Sequence, residues 1–348
     1  MAMVPENCAV TNTPPVCSVC IAHFNGRDLL KACLDSVLQQ QADFPIEIIV
    51  HDDASTDGSL EEVQQQYPSV RFLVSPVNVG FCVSNNRMVD VARGTFLLLL
   101  NNDAELYPDA LQTLYDYAQQ QSTMGILGLP QYHRETGRLI DVGSFLDPFL
   151  NPLPNLEQRS QPVGMIIGAC LWLPQTLWQT LGGFPVWFDT LAEDMFLCCH
   201  ARLRGYPVEA VAVSGFRHWV GKSLGGGAVT HNRLQTTLKR RALSERNKTF
   251  VMILCYPAAW IFWILPLHLL LLVAEGLLLS LVKRDLRVWT GIYWHCLKEI
   301  WCKRQYLCEN RQAVQRTRQV SARTFFAQNR WIPHKLRMLR RHGWPTIR

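Results

Sequence analysis

Four short stretches carry side chains able to do chemistry. In "HDDASTDGS" (51–59), Asp52 and Asp53 directly follow the apolar run "IEIIV". Carboxylates there can accept hydrogen bonds from a base N–H or a ribose hydroxyl. The plainer role is an ordinary polar loop with a helix cap at Ser55 or Ser59. In "FLLLLNNDAEL" (96–106), five apolar residues run into Asn101, Asn102 and Asp103. A hard divalent cation bridging two phosphates needs only one or two carboxylates, with the phosphates completing its shell. A helix cap is the competing role for Asp103, although Asp109 lies closer to the next helical pattern. Glu193-Asp194 opens an amphipathic run beyond Gly182-Gly183. Paired acids there can include a general base for an alcohol, or simply complement a helix's first turn. His218, in "FRHWVGKS" (216–223), can ligate a metal or serve a structural purpose.

The surrounding pattern shows what must position these groups. Strand signals at 16–24, 46–50, 70–75 and 96–100 alternate with helical spacing at 27–40, from Ser59, and over Val83–Ala92. That alternation predicts an α/β fold with a mostly parallel sheet and right-handed crossovers. Continuous apolar strands fit a sheet covered on both faces, and ligands of such sheets sit beyond the strands' carboxyl ends. "VEAVAVSGF" (208–216) reads as a further strand, and Leu191–Arg204 as a helix stopped by Gly205. The Pro-rich stretch 146–162 is expected to be a mobile loop.

The chain has 348 residues, 48% hydrophobic and 18% charged, more apolar than an ordinary soluble domain. Charge is unevenly spread. Residues 283–348 hold sixteen Lys/Arg against three Asp/Glu, a balance of +13, so the remainder is acidic. Such a tail needs an anionic neighbour, and it carries no nucleic-acid-binding signature. Twelve cysteines raise the question of zinc or disulfides. Cys17 and Cys20 of "CSVC" lie three apart on a strand and so point to opposite faces. No second CxxC follows, and the other cysteines are scattered among apolar residues, which fits a reducing compartment. No Walker A, GxSxG or HExxH pattern occurs. Residues 249–282 hold one formal charge, Glu275, and reach membrane length. The expected organisation is a loose leader over 1–15 without a secretory signal, a catalytic domain over 16–248, a hydrophobic membrane segment over 249–282 and a basic interfacial helical tail over 283–348.

In chain order, "HFNG" (23–26), "HDDASTDGS" (51–59), "NVGFCVSNN" (78–86), "LNND" (100–103), "GGF" (182–184) and "ED" (193–194) resemble the motifs of family 2 glycosyltransferases with a GT-A fold, especially the rhamnosyltransferase-like branch. The resemblance covers roughly residues 16–250. It implies a nucleoside-diphosphate sugar donor, a divalent metal (Mn²⁺ or Mg²⁺) and inversion at the anomeric carbon. It assigns Asp52, Asp53 and Phe24 to the nucleoside, with Asn78 and Asn102 also against the donor. Asp103 falls to the metal and diphosphate, with His218 nearby, and Asp194 to the general base. The first carboxylate of the family's DxD motif is Asn101 here, so modest metal affinity is expected. Pro185-Val186 and Phe196 also depart from the family pattern, at positions facing the acceptor.

The implied activity is transfer from dTDP-rhamnose or a UDP-sugar to a lipid-linked saccharide in cell-surface polysaccharide assembly, at the cytoplasmic face of the inner membrane. A catalytically inactive membrane scaffold on the same fold is the alternative. A processive synthase would carry "QxxRW" and more apolar segments. Basic residues flank the apolar run at both ends, Lys239, Arg240 and Arg241 before it and Lys283, Arg284 and Arg287 after it. That places both flanks on the cytoplasmic side. With Pro257 and Pro266 breaking it, the run is expected to enter the bilayer and return, or to lie deep in one leaflet. Trp289, Trp294 and Trp301 would then meet the interface.

Overall fold

The computed structural model describes residues 14–219, 228–230 and 233–347. Most of the expected leader, and Val220-Gly221-Lys222-Ser223 of the His218 stretch, lie outside them.

The alternation seen in the sequence builds one side of the main sheet. Strands β1 (Cys17–His23), β2 (Ile46–Asp52), β3 (Arg71–Val74) and β4 (Phe96–Asn101) pair in parallel, in spatial order β3-β2-β1-β4. Helices α1 (Arg27–Leu38), α2 (Ser59–Gln66) and α3 (Phe81–Val91) make the crossovers. β4 is entered through Gly94, where a Cβ would lie 2.5 Å from the Ser18 backbone nitrogen; only glycine fits that approach. Cys17 and Cys20 are buried on opposite faces of β1, in separate apolar clusters.

The other half of the sheet is mixed. After β5 (Ala104–Leu106) and α4 (Ala110–Gln119) come β6 (Ile126–Gly128), β7 (Gln131–His133) and β8 (Leu139–Asp141). Next are the short strands β9 (Phe145–Leu146), β10 (Pro152–Leu153) and β11 (Gln161–Pro162), then β12 (Cys170–Pro174). β12 runs antiparallel between β4 and β6, and β13 (Val208–Ala210) closes the order as β11-β13-β6-β12-β4. An antiparallel strand needs no crossover helix, which is why helix–strand alternation stops after β4. The apolar run 208–216 is two strands. β13 stays in the main sheet, and β14 (Phe216–His218) joins a small sheet of order β5-β14-β7-β8.

The stretch 146–162 is ordered. Leu146, Leu150 and Leu153 are buried, and Asp147 is fully buried. Asp147 accepts from the backbone N–H groups of Phe149 and Asn151 and from Asn151 Nδ2. One buried carboxylate thus supplies the fixed frame that the prolines alone do not suggest.

Helices α5 (Gln175–Leu181) and α6 (Glu193–Leu203) precede α7 (Leu238–Cys255) and α8 (Ala258–Lys283). The boundary expected between 248 and 249 falls inside α7. Its last turns, Thr249–Cys255, are buried in the main core beside Phe188 and Phe196, so the apolar run is not one membrane segment. Pro257 separates the two helices as expected. Pro266 does not break α8, which runs through it as one 26-residue helix. Proline at position 266 removes one hydrogen bond to the previous turn, and packing along the rest of α8 outweighs that loss.

The tail is folded onto the catalytic unit. It comprises α9 (Leu286–Val288), a π-helical turn (Trp289–Trp294), α10 (His295–Cys302), α11 (Arg304–Arg316), α12 (Ala322–Phe325) and α13 (His334–His342). Leu307, Val314, Phe325 and Phe326 enter the main core, and buried Arg202 of α6 donates to Phe325 O. Trp294 and Trp301 are exposed, whereas Trp289 turns inward against Gly276.

Candidate active site

Register brings the candidate residues to one edge. His23 pairs with Asp52 across β1 and β2, and Ala22 pairs with Asn101 across β1 and β4. The three carboxyl ends are therefore level, and Phe24, Asp53 and Asn102-Asp103 each stand just past that edge. β12 begins at the same level, since Asn101 N donates to Ala169 O at 3.0 Å. The adjacent Gly168 N donates to Asp194 Oδ2 at 2.9 Å. Two backbone steps thus tie the acid at the head of α6 to the end of β4.

The two acids of "HDD" have different surroundings. Asp53 Oδ1 accepts from Val79 N at 2.6 Å, Oδ2 from Gly80 N at 2.9 Å, and Asp53 O from Asn78 Nδ2 at 3.2 Å. Asp53 and Asn78 therefore shape the loop entering α3. Asp52 Oδ2 accepts from Ser55 N, while its buried Oδ1 has no hydrogen-bond partner among the described residues. Phe24, 51% exposed, presents its ring beside this edge.

The 24–27 turn and the 52–59 loop lock together. Asn25 N donates to Ser55 Oγ, Thr56 N to Asn25 Oδ1 and Gly26 N to Asp57 Oδ2. Burial works against the Asp57 charge, yet the Ser59 hydroxyl and the Gly26 and Ser59 N–H groups hold its pKa down to about 2. Sequence reasoning passed over His23, which joins three elements. Its Nε2 meets Ser59 Oγ at 3.0 Å, and its Nδ1 accepts from Asn102 Nδ2 at 2.9 Å. Burial lowers its pKa, against the pull of Asp52 and Asp57, so the ring stays neutral and accepts from Asn102. Its place at the head of "HFNG", at a strand end, was the available signal. Asn102 is thereby held at the edge.

Asp103 and His218 meet although far apart in sequence. β14 lies antiparallel to β5 with His218 opposite Ala104, and His218 Nε2 is 3.0 Å from Asp103 Oδ1. Gln131 on β7 reaches His218 Nδ1 at 2.6 Å and so fixes the ring. Both are buried, and Asn101 Oδ1 nearby in sequence is buried without a partner among the described residues. Among the described residues no group of three or more His, Cys, Asp or Glu gathers to hold a metal. The donor set fits a divalent cation only as a shared site: one carboxylate and one imidazole from the protein, with further oxygens from a diphosphate.

Glu193 and Asp194 start α6 after a strained approach. Asp189, Leu191 and Ala192 have φ of 65°, 71° and 65°, in the left-handed region unfavourable for such residues. Asn247 on α7, fully buried, holds that approach. Its Nδ2 donates to Phe188 O, Thr190 O and Leu191 O at 2.8, 2.9 and 2.7 Å. Arg246 adds a bond to Phe188 O. No sequence periodicity singled out Asn247, because it sits within an otherwise regular helix. Burial raises the pKa of Asp194 despite N–H donation from Gly168 and Met195. Burial raises Glu193 further, the Asp194 charge adds to that, and Arg240 opposes it. Two adjacent carboxyls that both resist ionisation can share one proton, which leaves the other carboxylate free to accept one.

Residues 18–177 match the family described as Glycosyl transferase family 2. YibD of Escherichia coli, an uncharacterised glycosyltransferase, is 36% identical over 104 residues, 29% of this chain and 30% of that protein. An N-acetylglucosaminyl-diphospho-decaprenol L-rhamnosyltransferase of Mycobacterium tuberculosis is 26% identical over 183 residues, 44% of this chain and 60% of that protein. The matched stretches thus span less than two thirds of either relative. In fold, the chain resembles GalNAc-T7 crystallised with UDP, GalNAc and Mn²⁺, with a TM-score of 0.57 and 14% identity over 69% of this chain and 49% of that one. The six motifs, the level strand ends that carry them and these matches make residues 18–177 similar to glycosyl transferase family 2, on a fold of the GT-A kind.

Proposed function

We propose that the protein is an inverting glycosyltransferase moving a sugar from a nucleoside-diphosphate donor, dTDP-rhamnose first and UDP-sugars second, to a hydroxyl of a lipid-linked saccharide. The observation that carries this reading is the link Asn101–Ala169–Gly168–Asp194, which puts a raised-pKa carboxylate on the edge that also holds Asp103 and His218. Phe24 stacks on the base, and Asp52 Oδ1 accepts a base or ribose hydrogen, while Asp53 and Asn78 hold the loop and Asn102 borders the diphosphate. Asp103 and His218 would hold Mn²⁺ or Mg²⁺, with further oxygens from the diphosphate. When bound, the cation offsets the charge of the leaving group. Asp194 takes the acceptor hydroxyl's proton as that oxygen bonds to the anomeric carbon. The bond from that carbon to the diphosphate oxygen breaks on the opposite face, which inverts configuration without a covalent enzyme intermediate. The rhamnosyl donor and the lipid-linked acceptor are supported by the relative's name. The site works at the cytoplasmic face of a membrane, where nucleotide sugars are found.

The test is a panel of nucleotide sugars, each incubated with the full chain, Mn²⁺ and membrane lipid extract. Release of nucleoside diphosphate from one donor, lost in Asp194→Asn, supports transfer. Binding of donors without turnover of any favours the inactive scaffold.

A further inference from the structure

We propose that α8 is a docking helix that lies flat in one leaflet of an anionic phospholipid membrane and does not cross it. The proposal rests on this surface and not on the donor or acceptor assigned above.

By length α8 could span a bilayer: 26 residues reach ~39 Å at 1.5 Å each, against ~30 Å of hydrocarbon. Its packing excludes that. Ile264, His268, Leu272, Gly276 and Leu279, spaced four, four, four and three apart, form a buried stripe along most of the helix. A Cβ on Gly276 would lie 2.6 Å from Tyr293, so the π-helical turn is pressed against it. His268 Nε2 meets Thr249 Oγ1 of α7 at 2.9 Å. Glu275 pairs with Arg241 of α7 and, at 2.6 Å, with Lys335 of α13. Lys335 also pairs with Glu245 of α7, which pairs with Lys248. Insertion of α8 across a bilayer would tear it from these ionised partners or take them into hydrocarbon. Either is costly, and α7 also carries Asn247, the support of the catalytic approach.

The opposite face is apolar without a break. Phe262 is 79% exposed, Trp263 80%, Leu270 66% and Leu281 75%. Trp260 packs on Trp331 at one end, with Ile332 exposed beside it in sequence, as amphipathic aromatics do at a lipid interface. At the other end stand exposed Lys283, Arg284 and Arg287, and α13 beside α8 adds Arg337, Arg340 and Arg341. An apolar strip bordered by cations matches the acyl boundary and headgroups of an anionic leaflet.

Flotation of the full chain with phosphatidylglycerol vesicles tests the surface, and a reporter fused after Arg348 in a Gram-negative host tests the orientation. The expected result is co-flotation that drops at least tenfold in phosphatidylcholine vesicles or in Phe262→Ser/Trp263→Ser, with the reporter active only in the cytoplasm. The double variant should keep the wild-type circular-dichroism spectrum and a thermal midpoint within a few degrees, which shows that it is folded. Flotation unaffected by the double variant, a lipid-free dimer that buries α8, or a periplasmic reporter signal would each overturn the proposal.

Discussion

His218 Nε2 lies 3.0 Å from Asp103 Oδ1, across 115 residues of chain. An acid and an imidazole brought together by an antiparallel pairing of β5 and β14 would offer a cation two protein ligands, too few to hold it tightly alone. Mn²⁺ binding, followed by calorimetry or electron paramagnetic resonance, should therefore be weak with the protein alone and tighten at least tenfold with nucleoside diphosphate. Asp103→Ala should abolish the tightening, and excess EDTA should stop turnover. Full turnover in EDTA would remove the metal from the mechanism.

Asp194→Asn should cut turnover by ~10²–10⁴-fold while donor affinity stays within a few-fold. The base must be ionised, and burial raises its pKa. The acid limb of kcat/KM should therefore lie above the ordinary aspartate value of about 3.9, with activity lost as pH falls through it. Turnover of the variant within a few-fold of wild type would show that Asp194 is not the base.

Asn247→Ala leaves two carbonyls, of Thr190 and Leu191, without the amide that donates to them, and leaves Phe188 O to Arg246 and Thr190 N. The expected cost is roughly 1–3 kcal/mol in stability. Because the released segment leads into Asp194, kcat should also fall by on the order of 10- to 100-fold, with donor KM little changed. A loss of stability with unchanged kcat would limit Asn247 to a structural part.

Asp141, the buried last residue of β8, gives a pH-dependent stability. Burial raises its pKa to about 6, although Ser144 and Asn155 N–H donate to it. Between about 4 and about 6 the folded state keeps a proton that the unfolded chain has lost, so stability falls as pH rises through that window. Above it the penalty reaches up to about 3 kcal/mol. Asp141→Asn should flatten this trend in thermal melts from pH 4 to pH 7; an unchanged slope would exclude Asp141 as its source.

The candidate site was largely legible because its residues sit at strand ends, and strand ends can be read from apolar runs. β1, β2 and β4 each stop at a polar cluster, and parallel pairing sets those clusters level. Asp53 shows the limit of such reading. Its carboxylate turns to Val79 and Gly80, a direction set by loop backbone and not by residue type.

By itself, the sequence determined the α/β alternation, the opposed burial of Cys17 and Cys20, and the order of the site motifs, since period and spacing are local properties. Only the tertiary structure decided the rest. It inserted β12 antiparallel beside β4, brought His218 to Asp103 and drew Thr249–Cys255 into the core. It also gave α8 one covered face and one bare one. A helix whose polar side chains before Lys283 are only His268, Glu275 and Ser280 carries little periodic signal of which side it buries; the partners that choose, α7, the π-helical turn and α13, meet α8 only when the whole molecule packs.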